Sequence, residues 1–103
     1  MQKTNHSQLL IIIVPQEFKD NLVDSLIEAD SLSGFSLSKI QGYSRQHHHY
    51  NIQEQVEGYR DFYRFELLHE QPQYEQLLTH IRLACPNGKL RFWCVPVIAT
   101  GTV

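Results

Sequence analysis

A chain of 103 residues has room for one domain and not for two, and with 42% hydrophobic and 19% charged residues it can bury a core. A net charge of −2 argues against a polyanion-binding module, because affinity for nucleic acid rests on clustered Lys and Arg. The longest apolar run, residues 9–14, is too short to span a bilayer and has no export-signal layout around it, so the expectation is a cytoplasmic protein without direct membrane insertion, its two cysteines, Cys85 and Cys94, serving as reduced, small apolar residues.

After a polar segment, residues 1–7, the run Leu9-Leu10-Ile11-Ile12-Ile13-Val14 is β-branched, ends at Pro15 and reads as a buried strand. Phe18, Leu22, Val23, Leu26 and Ala29 then recur at helical spacing until Ser33-Gly34 breaks the pattern. Residues 36–44 form a second strand with weak alternation. Residues 45–58 are polar, aperiodic and contain three consecutive histidines, which makes them a loop closed by Gly58. Residues 59–68, rich in aromatics, are the third strand. Pro72 stands where a helix would take its first turn, a position that tolerates the missing N–H. Tyr74, Leu77, Leu78, Ile81, Ala84 and Cys85 mark the apolar face of the second helix. Pro86-Asn87-Gly88 is a turn, and residues 89–97 are the last strand.

The order βαββαβ folds as a split βαβ unit of the α+β class, a ferredoxin-like four-stranded antiparallel sheet with two helices on one face. The first and third strands are then central and the last strand is an edge. A sheet face without helices should alternate toward polar residues if it met water. Here Leu9, Ile11 and Ile13 are as apolar as Leu10, Ile12 and Val14, and Trp93, Val95 and Val97 as apolar as Leu90, Phe92 and Cys94. Another copy of the chain is the simplest cover, so a homo-oligomer is expected.

The stretch Gly34-Phe35-Ser36-Leu37-Ser38-Lys39-Ile40-Gln41-Gly42-Tyr43-Ser44-Arg45-Gln46 resembles the second strand of the PII nitrogen-regulatory proteins, which carries Gly-x-Thr-Val-x-x-Val-x-Gly-Phe-Gly-x-Gln and leads into their T-loop. Gly88-Lys89-Leu90-Arg91-Phe92-Trp93-Cys94-Val95-Pro96-Val97 resembles that family's last strand, which begins Gly-Lys and ends Val-x-Pro-Val. The likeness covers residues 8–97 of a single domain, and the best match is a group of short, uncharacterised bacterial PII-like proteins. The resemblance implies a trimer with inward-packed sheets, an architecture shared with CutA-like divalent-cation tolerance proteins. It also implies a signalling role, with residues 45–58 as a T-loop-like segment that meets a protein partner, a membrane transporter being one class. Carried over residue by residue, the ligand-binding positions are Ser36, Gly42, Gln46 and Lys89. The departures are as informative. Ser44 replaces a T-loop glycine, the B-loop has shrunk to Cys85-Pro86-Asn87-Gly88, and residues 98–103 contain no arginine. Losing the glycine-rich N–H cradle and the distal cations predicts weak or absent ATP and ADP binding.

His47-His48-His49 is the other unusual feature. Imidazole is a ligand for Zn, Cu and Ni, and in an extended segment His47 and His49 point the same way, with Glu54 or Glu57 in reach. A divalent-metal-binding or metal-tolerance protein is therefore the second reading; the plainer alternative is a solvated loop, since adjacent histidines do not by themselves fix a coordination geometry. His6, His69 and His80 are scattered and are read as surface residues. Phe62-Tyr63-Arg64-Phe65 invites comparison with base-stacking third strands of RNA-recognition modules, but the required glycine–aromatic spacing is broken, and Tyr63, Phe65 and Leu67 read as core with Phe62 at an interface. No nucleophile elbow or paired carboxylate stands out, so the chain is read as a regulator and not an enzyme.

Overall fold

The computed structural model describes residues 6–30, 32–43 and 60–103. In chain order these form β1 (Ser7–Pro15), α1 (Gln16–Ile27), β2 (Ser36–Gly42), β3 (Arg60–Glu70), α2 (Tyr74–Ala84) and β4 (Arg91–Pro96). The strands make one antiparallel sheet in the order β2-β3-β1-β4. This is the expected ferredoxin-like arrangement, with β1 and β3 central and β4 at an edge. None of the helices among the described residues is long and apolar enough to cross a membrane.

Local chemistry explains where the elements stop. Pro15 closes β1 and, at φ −60°, ψ 150°, turns the chain into α1, with Glu17 at the N-terminal end where a negative charge suits the helix dipole. Pro72 lies in a short 3-10 turn, Gln71–Gln73, and α2 proper begins after it. That turn is closed by a capping box in which the Glu70 N–H donates to Gln73 Oε1 at 2.9 Å. β4 starts later than the sequence pattern suggests, because Asn87 and Lys89 take left-handed φ values of 60° and 49°, which a strand cannot use.

One face of the sheet and both helices enclose the core. Leu10, Ile12 and Val14 from β1 and Phe65 and Leu67 from β3 pack against Leu22 and Leu26 of α1 and Leu77, Leu78 and Ile81 of α2. Phe35 stacks on Phe65 with ring centroids 6.1 Å apart. The opposite face carries no helix. There Ile11 lies between Glu66 and Trp93, Leu9 between Leu68 and Val95, and Ile13 between Arg64 and Arg91. Leu68 is 44% exposed, Trp93 39% and Val95 37%. β1 and β4 are thus apolar on both faces, whereas β3 alternates, with Arg64 Nε 3.6 Å from Glu66 Oε1.

The surface reading of His69 is corrected. β3 runs on to Glu70, so His69 shares the parity of Phe65 and Leu67 and is only 4% exposed. Its Nδ1 is 3.1 Å from the Leu67 carbonyl oxygen and its Nε2 3.1 Å from Gln8 Oε1, and its ring stacks on Tyr74. The Cys94 thiol donates to the same Gln8 oxygen at 3.5 Å. His80 is half-buried on α2, and His6 is exposed.

Candidate ligand cleft at the α2–β4 turn

α2 ends where the Cys85 N–H still reaches the Ile81 carbonyl at 2.9 Å, and the Gly88 N–H then caps the Cys85 carbonyl at 3.1 Å. The turn is tight at Gly88. A Cβ there would stand 3.0 Å from the Cys85 carbonyl oxygen and 3.3 Å from Phe18 Cε2. Because Asn87 and Lys89 are held in the left-handed region, the chain swings wide before β4, and a cleft of about 210 Å³ opens between the end of α2 and the start of β4. Ile12, Leu78, Ile81 and Cys85 are its buried floor, Leu90 and Phe92 its outer wall, and Arg82 and Lys89 stand at its mouth. Burial in this apolar setting pushes the Cys85 thiol pKa up, and the Cys94 thiol is raised for the same reason. Both cysteines are free.

The residues expected to bind ligand fall at separate places. Lys89 is at the cleft. Ser36 and Gly42 lie at opposite ends of β2, about 20 Å apart at the rise of a strand. Gly42, paired with Arg60, is at the same end of the sheet as Lys89 but on the other edge, three strand spacings or about 14 Å away. Gln46, His47, His48 and His49 lie outside the described residues. Among the described residues no cluster of three His, Cys, Asp or Glu side chains is arranged to hold a metal ion. The sequence pattern left Arg82 and the apolar floor unmarked as site residues, since their apolar spacing is explained by core packing alone.

The model of a family described as "Protein of unknown function (DUF3240)" matches residues 4–103. The chain belongs to the DUF3240 family. A crystal structure of a DUF3240 family protein from Shewanella baltica OS155 is similar at 39% identity and a TM-score of 0.81, over 97% of this chain and 99% of that one. The PII protein of Arabidopsis thaliana, in a structure bound to citrate, is 13% identical with a TM-score of 0.67, over 91% of this chain and 77% of the PII chain. The DUF3240 chain therefore has a PII-like fold, as the motifs of β2 and β4 suggest. No curated protein matches the sequence.

Proposed function

We propose that this DUF3240 protein is a PII-like regulatory module that works as a homotrimer, responds to a small ligand near the α2–β4 turn, and contacts a protein partner through residues 45–58. The observation that carries this reading is the helix-free face of the sheet, where Leu68, Trp93 and Val95 are exposed beside the half-buried Leu9, Ile13 and Phe62.

Light scattering behind a sizing column tests the assembly. A trimer is expected at micromolar concentration, and a stable, well-folded monomer would overturn the proposal. The histidine run favours the second reading, a divalent-metal-binding protein, which requires imidazoles from residues 47–49 to converge on one ion.

A further inference from the structure

Resting on the reading of this chain as a ligand-responsive module, we propose that the cleft between α2 and β4 binds a small amphipathic carboxylate. Its hydrocarbon end lies against Ile12, Leu78 and Ile81, and its carboxylate is held by Arg82 and Lys89. At about 210 Å³ the cleft is smaller than the roughly 300–1,000 Å³ of sites for drug-sized ligands, and holds about seven water- or methylene-sized groups. A nucleotide does not fit within it. Its floor is apolar, and the side chains that line it include two cations and, among the described residues, no carboxylate. That combination selects a ligand with an apolar body and one negative end.

The two cations differ in what else explains them. Arg82 stands in the last turn of α2, where a positive charge offsets the helix dipole. Lys89 has no such structural role. It holds a left-handed φ of 49°, which glycine would adopt at least cost, and yet places an ammonium group at the mouth of an apolar cleft. Phe92, 45% exposed although large and aromatic, forms a wall that a ligand tail would cover. The carboxylate must sit beside the helix axis and not on it, since the last carbonyls of α2 repel an anion, and the capping of Ile81 and Cys85 carbonyls by backbone N–H groups weakens that repulsion.

The test uses hexanoate and its uncharged analogue 1-hexanol, with binding read by calorimetry and by amide chemical shifts of Ile81, Cys85 and Leu90. Wild type should bind hexanoate at least tenfold more tightly than 1-hexanol, and Arg82→Gln/Lys89→Gln, two exposed changes, should lose about tenfold or more for hexanoate alone. Equal affinity for the acid and the alcohol, or no shift at these amides, overturns the proposal. The interface variant Trp93→Glu/Val95→Glu separates this idea from the trimer. Because the cleft lies within one protomer, that variant should bind hexanoate as wild type does. Binding by the variant but not by wild type would mean that another copy fills the cleft, which overturns the proposal while leaving the trimer intact.

Discussion

The Cys85 thiol lies on the floor of the cleft, where its raised pKa means that the folded chain keeps the proton more firmly than the unfolded chain does. The associated stability is complete below the ordinary thiol pKa of 9.0 and is lost as pH rises through the higher folded value. Thermal unfolding followed between pH 7 and 10.5 should therefore show an alkaline decline that is shallower in Cys85→Ala, and identical slopes would remove the thiol from the account. Gly88 makes a steric prediction at the other side of the same turn. Its neighbour at 3.0 Å is a backbone carbonyl that cannot swing aside, so Gly88→Ala should cost roughly 1–3 kcal/mol in denaturant unfolding. The histidines have a prediction of their own. Metal binding needs neutral imidazole, so Zn affinity should weaken below about pH 6.5 and should be lost in His47→Ala/His49→Ala. Equal weak binding by both proteins would reduce residues 47–49 to a solvated loop.

Between residues and the whole chain stand the packed elements, and the core ties them to one energy scale. Phe65 is fully buried and receives Phe35 on one side and the helices on the other. Phe65→Ala should cost about 3–5 kcal/mol and Leu77→Ala about 2–5 kcal/mol, against a total of about 5–15 kcal/mol for a domain of this kind. Ile27, at the exposed end of α1, should change stability by no more than about 0.5 kcal/mol when replaced by alanine. The same contrast explains what was legible in the sequence. The six elements and the two-faced character of β1 and β4 were readable because burial imposes a period on residues such as Leu10, Ile12 and Val14. His69 was misread because a polar residue at a strand end gives no hydropathy signal, although its parity with Phe65 and Leu67 carried the information. The late start of β4 depends on two positive φ angles that neither Asn87 nor Lys89 demands. The cleft was invisible for a different reason. It is made by the separation of α2 from an edge strand, and its lining joins Ile12 of β1 to side chains of α2, the turn and β4 that lie far from Ile12 in the chain.

For the molecule as a whole, the apolar open face makes assembly and solubility one question. If the proposed trimer forms, Trp93→Glu/Val95→Glu should convert it to a folded monomer in sizing experiments, with the helix-facing core undisturbed, because both side chains point away from α1 and α2. The placement of β1 has a consequence for how the protein is made. This strand is paired on both sides, and one partner is β4, so that Gln8 meets Pro96 across almost the entire chain. Such distant pairing is slow to form, because chain entropy must be given up before any contact rewards it. During synthesis β1 is made before the other described strands and its partner β4 after them. Throughout that interval an Ile-rich edge is open to any extended chain nearby. Released chains truncated before residue 91 should be protease-sensitive at β1 and recruit a chaperone, and the chain of 103 residues should not.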